Sequence, residues 1–432
     1  MDLLFHVAAS LGFHSDREVA DLIGVTPENV AHWRAGTVQE LKGQTLDAVK
    51  EALAARLSAL RDAALTSEAT SGIHRVEVEE GSSPSDLQRQ FQDRVAYDYL
   101  GHRFLYYEPH GALAWENLIR GGYEQNCWLA GVERCSAAWL DGDKGGKGPI
   151  GAALQHDKKS RARGLDVISL GPGEGGKEAI FLKALKASEL FPRLPWVCFA
   201  PVDVSIPLLL SAAHAARTLL TKDRPSDPEG AQVLPFCADF EEGRLSFVSR
   251  LPSAARPPTL STRLVMLLGN TFGNLRNEEG FMRQKLEPMV RPGDLVWLEV
   301  ALRPEKLEHD SLYPMTLPDR SETAAETNRR ILLEGPFRRW EAAMGRQPSE
   351  LSMRVFIRED DETCHVPRSV NFCHDLLIRA ERRACSMLYS RRYHVESLTA
   401  WLEKQDYAVE RVAKVDDSKG TPRVAHLLLR KR

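Results

Sequence analysis

Through its middle third the chain alternates short, almost wholly apolar runs with polar, glycine-containing turns. That is the pattern of strands buried on both faces of a sheet. Asp166–Leu170 is the first such run, followed at once by glycines and by a helical stretch over residues 179–186. Residues 197–205, 233–241, 263–274 and 291–300 continue the series, the fourth running into a polar turn. Near the end, residues 407–412 and 423–430 read as two more strands joined by a polar Asp/Ser/Lys/Gly turn. The alternation of strands with helices predicts an α/β fold. We expect a Rossmann-like seven-stranded sheet with an N-terminal helical domain and an inserted region. Four segments follow: a helical domain at 1–62, a linker with an aromatic-rich helical cap at 63–160, a cofactor-binding core at 161–300, and an insertion with the last core strands at 301–432.

Composition narrows the class. The chain has 432 residues, 43% hydrophobic and 27% charged, which is enough apolar material for more than one core. No apolar run is long enough to cross a membrane, and the first ten residues lack the basic opening of a secretory signal. A cytoplasmic protein without membrane contact is expected. The net charge of −3 gives no whole-molecule attraction to nucleic acid. Seven cysteines, odd in number and without a CxxC pair, read as unpaired thiols, and no metal site is expected.

Residues 15–36 carry apolar positions at helical spacing on both sides of Gly24, with Thr26 placed as a cap and Pro27 as a first helical residue. The segment resembles the helix-turn-helix of phage-repressor-like domains. Its charge disfavours DNA contact: residues 1–70 hold six Lys/Arg against ten Asp/Glu, whereas a DNA reader needs a basic face. A protein partner or self-association through residues 1–62 is the stronger expectation, with DNA the weaker one. Residues 64–90 read as a linker ending in a helix start. Residues 91–140, dense in Tyr, Phe and Trp, read as core or as a substrate cap.

The chemistry concentrates after the first strand. Gly171, Gly173 and Gly175 let backbone approach a ligand at a helix N-terminus, and Lys177 follows them. Gly171, Gly173 and Gly176 also match a dinucleotide fingerprint, a weak signal alone. Asp203 ends the second strand, 32 residues beyond Gly171, where a dinucleotide unit places its acid after about 20. A carboxylate there can accept from both ribose hydroxyls. Asp239 at the third strand tip suits an adenine amino group, with Phe240 to pack on the ring. Two acids at successive strand tips and a C-terminal hairpin favour S-adenosylmethionine over a nicotinamide cofactor.

These residues resemble class I methyltransferases and, within them, the histidine-specific family of the ergothioneine pathway. The resemblance implies that Gly171, Gly173, Gly175, Lys177, Asp203, Asp239, Phe240 and Asn270 bind S-adenosylmethionine. It places Asn274, in the Gly-Asn-Thr-Phe-Gly-Asn turn at 269–274, against a substrate amino group. Thr327 and Asn328 fall in a substrate-binding segment, as do Leu388 and Ser390. Thr327 replaces an aromatic of the family, Leu388 replaces its substrate-binding glutamate, and Ser169 replaces the acid usual before the glycine loop. The cofactor half is retained while the histidine site is rebuilt.

Methyl transfer is an in-line displacement that needs positioning more than a covalent intermediate. Asn274 and Ser390 are the candidate catalytic groups, orienting the nucleophile. Arginines at 329, 330, 338, 339 and at 379, 382, 383, 391, 392 form two basic groups, either solvated faces laced with glutamates or a grip for an acidic acceptor. The expected activity is methyl transfer to an amine or other nucleophile of a small molecule or peptide, not free histidine. A nucleic-acid-associated methyltransferase or regulator, and a non-catalytic cofactor-binding scaffold, are the alternatives.

Overall fold

The structure, a computed structural model, describes residues 16–17, 20, 26–34, 76–95, 99–120, 126–142, 147–155, 162–220, 230–305, 324–360, 362–417 and 420–432. The chain divides into two compact units, Met1–His74 and Arg75–Arg432. In the first, the helix Pro27–Arg34 begins at the Thr26–Pro27 boundary, with the Asn29 amide donating to the Thr26 hydroxyl at 3.4 Å. Ala20 and Val30 are fully buried there. The residues that would complete a two-helix unit lie outside the described ones.

The second unit is built on a sheet of β1 (Glu77–Val78), β2 (Gly164–Leu170), β3 (Val197–Asp203), β4 (Ala231–Val233), β5 (Phe236–Cys237), β6 (Ser261–Leu267), β7 (Leu295–Ala301), β11 (Tyr407–Asp416) and β12 (Pro422–Lys431). Their order is β1-β5-β3-β2-β6-β7-β12-β11, with β4 also pairing β3. The strands from β1 to β7 are parallel; β12 is antiparallel to β7 and β11 to β12. The seven expected strands are present, and β1 and β4 extend the set. The first of these places a strand inside the stretch 64–90 read as linker, Glu77 and Val78 pairing in parallel with Phe236 and Cys237, while the helix expected to start at its end runs over Pro84–Arg94.

Alternation within the strands explains their unbroken apolar character. Leu165 and Val167 of β2, Leu264 and Met266 of β6, and Leu295 and Trp297 of β7 face one core with the helices Asn126–Asp141, Gly176–Ala187 and Ile206–Leu220. Their neighbours Ile168, Leu170, Val265, Leu267, Val296 and Leu298 face the opposite core, closed by the helix Val395–Lys404. Side chains that alternate in direction while helices cover both faces are mostly apolar, and the buried polar ones such as Ser169 and Glu299 need partners.

Between β7 and β11 the chain inserts a helix, Ala324–Ala343, and an antiparallel sheet of β8 (Leu351–Arg358), β9 (Val370–Ile378) and β10 (Arg383–Arg392). The cap and this insertion, expected as separate segments, share one core. Leu87, Phe91 and Phe104 pack there with Leu332, Phe337, Leu376 and Leu388. The insertion is tied to the sheet unit by buried Glu278, which accepts from Tyr393 Oη at 3.1 Å and pairs with Arg391 Nε at 3.2 Å. Among the described residues no helix is long and apolar enough to cross a membrane.

Candidate active site

β2 ends at Leu170 and the chain turns into the helix Gly176–Ala187 through Gly171, Gly173 and Gly175, at φ of 67°, 57° and 81°. Such angles strain any residue with a Cβ. At Gly175 a second demand is packing, since a Cβ would come within 2.7 Å of Ala212 Cα. The loop is thereby pressed onto the helix Ile206–Leu220. Trp115 closes it from the other side, its Nε1 lying 3.2 Å from where a Gly173 Cβ would be.

A cavity of about 320 Å³ opens along this loop at the carboxyl ends of β2, β3, β5 and β6. Parallel α/β sheets place ligands at that end of their strands. Of the residues expected to act, Gly171, Gly173, Lys177, Asp203, Asp239, Phe240 and Asn274 line it together. His102, Arg103, Tyr106 and Trp115 from the cap form the facing wall, joined on the floor by Glu178. Within the aromatic segment Tyr106 and Trp115 line the cavity, whereas Phe91, Phe104 and Tyr107 are core.

The carboxylates differ in what surrounds them. Burial pushes the Asp203 carboxyl up to about 6, against the pull of amide hydrogen bonds from Ser205, Gly173 and Val204. Asp239 accepts from the Glu241 and Glu242 amides at 2.9 and 3.1 Å, and from Arg103 Nη1. The same Arg103 nitrogen lies 2.9 Å from Glu242. Glu241 is pushed up to about 7, chiefly by burial. Beside them, burial holds the His102 imidazole down to about 4, so it is neutral at physiological pH.

Lys177 is anchored from below. Its Nζ lies 3.0 Å from Glu299 on β7 and 4.8 Å from the Trp128 ring centroid. Glu299 also accepts from the Gly269 amide and faces His426 Nε2 at 3.6 Å, its register partner on β12. His426 Nδ1 in turn accepts from Trp297 Nε1 at 3.2 Å. Burial and the neighbouring Lys177 push His426 down to about 3.

Of the expected site residues whose surroundings are described, four do not line the cavity. Gly175 is a packing position, as above. Asn270, at φ 60°, spends its amide on the core: Oδ1 accepts from the Ala301 amide at 3.0 Å and Nδ2 donates to the Arg391 carbonyl at 3.3 Å. Ser390 is buried on β10, its hydroxyl accepting from Arg392 Nη1 at 2.8 Å. Leu388 is core beside Phe104 and Met387. Thr327 and Asn328 fall on the helix Ala324–Ala343, their side chains outside the described residues.

The described basic residues follow the glutamate-laced reading or are internal, and the side chains at 329 and 330 lie outside the described residues. Arg391 and Arg392 are fully buried, and Arg338, Arg339, Arg379 and Arg383 pair with Glu341, Glu108, Glu350 and Glu381. Among the described residues no three His, Cys, Asp or Glu side chains are grouped to share a metal ion. Cys135, Cys198, Cys237, Cys364, Cys373 and Cys385 are buried thiols.

Sheet order and glycine loop are those of the class I methyltransferase fold, and the strand-tip acids stand where S-adenosylmethionine would meet them. The cavity also fits that cofactor: an acidic wall of Asp203, Asp239 and Glu178 suits a cationic nucleoside better than a dinucleotide pyrophosphate. Residues 152–308 match the family described as histidine-specific, S-adenosylmethionine-dependent methyltransferase. Comparison with curated proteins gives no match. Among solved structures, the CcbJ methyltransferase from Streptomyces caelestis is similar at 14% identity, covering 70% of this chain and 96% of its own, with a TM-score of 0.32. A Burkholderia thailandensis 1,6-didemethyltoxoflavin-N1-methyltransferase is similar at 11% identity over 74% of this chain and 87% of its own, at a TM-score of 0.34. The glycopeptide N-methyltransferase MtfA complexed with S-adenosyl-L-methionine is similar at 13% identity over 67% and 89%, at 0.29.

Arg103, Glu178, Glu299 and His426 escaped the sequence reading. Arg103 was legible as an arginine flanked by aromatics, with Phe104, Tyr106 and Tyr107 directly after it. Glu178 stood beside Lys177, but its inward direction depends on Ser169. Glu299 and His426 meet only through strand pairing.

Proposed function

We propose that this enzyme transfers the methyl group of S-adenosylmethionine to an amine of a small molecule or peptide other than free histidine. The observation that carries the reading is the single cavity joining the glycine loop, Asp203, Asp239, Phe240 and Asn274. Asp203 accepts from the ribose hydroxyls and Asp239 from the adenine amino group, with Phe240 against the ring. When bound, the cofactor supplies an electrophilic methyl group on a sulfonium.

Asn274 orients the acceptor, its side-chain oxygen directing an amine N–H so that the nitrogen lone pair faces the cavity. Ser390 is buried on β10 and reaches the site only through Arg392. The Tyr106 and Trp115 wall excludes water and offers an apolar surface to the acceptor. Both cavity cations are already held, Arg103 by Asp239 and Glu242, Lys177 by Glu299. That disfavours an acidic acceptor, and buried Leu388 in place of a glutamate argues against histidine.

Mass spectrometry of a cell extract incubated with the enzyme and methyl-labelled S-adenosylmethionine tests this. Label is expected in amine-bearing small molecules or peptides. Label confined to nucleic acid, or to histidine, would overturn the proposal.

A further inference from the structure

The strand ahead of the glycine loop carries Ser169 as its penultimate residue, where class I methyltransferases usually carry an acid. Ser169 is fully buried, and its hydroxyl donates to Glu178 Oε1 at 2.7 Å. Glu178 sits in the first turn of the helix Gly176–Ala187, is 3% exposed, and lines the cavity. The neighbouring Lys177 is held by Glu299. A carboxylate is therefore present at the strand end after all, delivered from the helix and pinned by the hydroxyl that stands in the acid's usual place.

A buried carboxylate is costly without compensation. The Ser169 hydroxyl and the helix N-terminus stabilise it at the cavity. With Asp239 and Phe240 at one end of the cavity and Asp203 on the next strand, the remaining floor by Glu178 and Gly269 faces the end of the cofactor beyond the ribose. We infer that Glu178 is a cofactor-binding residue that takes the cationic amino-acid end of S-adenosylmethionine. Ser169 is its positioning residue. The inference rests on the methyltransferase reading and adds a displaced recognition group to it.

Calorimetry with two probes tests the assignment: S-adenosylmethionine, and 5′-methylthioadenosine, which keeps adenine and ribose but lacks the amino-acid end and its charges. Glu178→Gln is expected to weaken S-adenosylmethionine roughly tenfold or more, with 5′-methylthioadenosine held within about twofold. Ser169→Asp combined with Glu178→Ser, which returns the carboxylate to the strand, is expected to recover most of the lost affinity. Equal losses for both probes, or no loss in Glu178→Gln, would overturn the inference, as would a swap that binds no better than Glu178→Ser alone. Wild type that binds neither probe would instead sink the methyltransferase reading itself.

Discussion

Lys177 Nζ lies 3.0 Å from the carboxylate of Glu299, a residue with no exposed side-chain surface. The pair locks three parts of the site together: the helix after the glycine loop, β7, and, through the Gly269 amide, the turn that carries Asn274. Removing one partner strands a buried charge. Lys177→Met should cost about 3–5 kcal/mol of stability in denaturant unfolding. Lys177→Met with Glu299→Leu should recover most of it, because an apolar pair leaves no charge uncompensated. A double variant as unstable as the single one would show that the pair is not the source.

Asp203 should make cofactor binding pH-dependent. Its carboxyl titrates near 6 when folded, against an ordinary 3.8. The folded state therefore holds its proton longer, and this group lowers stability as pH rises from about 4 to 6. Hydrogen bonds from ribose hydroxyls need the charged form. S-adenosylmethionine affinity should therefore fall as pH drops through about 6, and Asp203→Asn should bind weakly with no such step. Calorimetry between pH 5 and 8 decides it; a flat wild-type profile rules the role out.

His426 should contribute to acid lability with the opposite sign. Its folded value of about 3 lies below the ordinary 6.5, so the unfolded chain takes up the proton first and stability drains as pH falls below 6.5. From pH 7 to pH 5 the loss should be roughly 2 kcal/mol. In His426→Phe, the unfolding free energy measured at both pH values should show that much less acid dependence. An unchanged slope would mean that other groups control it.

The two asparagines of one turn should part company. Asn270→Ala leaves the Ala301 amide without its acceptor and should cost roughly 1–3 kcal/mol of stability. Asn274→Ala should alter stability little and reduce methyl transfer instead. Thermal unfolding alongside a labelled-methyl assay separates them, and the reverse pattern would exchange their roles.

The sheet was legible because its strands are buried on both faces, which forces continuous apolar runs such as Val197–Val202 and Leu264–Leu267. Gly171, Asp203 and Asp239 were legible because a strand tip followed by a turn is a local event. By contrast, Ser390 and Leu388 were assigned by counting along a segment whose direction depends on β10 packing against the cap. There Leu388 turns into the core with Phe104, and Ser390 onto Arg392. Two of the arginines escaped for the same reason: Arg391 and Arg392 are adjacent in sequence, yet both are internal ties.

By itself, then, the order of apolar runs, glycines and strand-tip acids determined the α/β class, the cofactor and which strand tips, Asp203 and Asp239, meet at one cavity. All of these follow from spacings of a few residues. Only the tertiary structure decided that cap and insertion share a core, that Arg103 sits on Asp239, and that the acid missing at Ser169 is supplied by Glu178. Each of those joins elements distant in sequence or turned toward one another by packing. A linear pattern records which face of an element is apolar, and not which partner that face will meet.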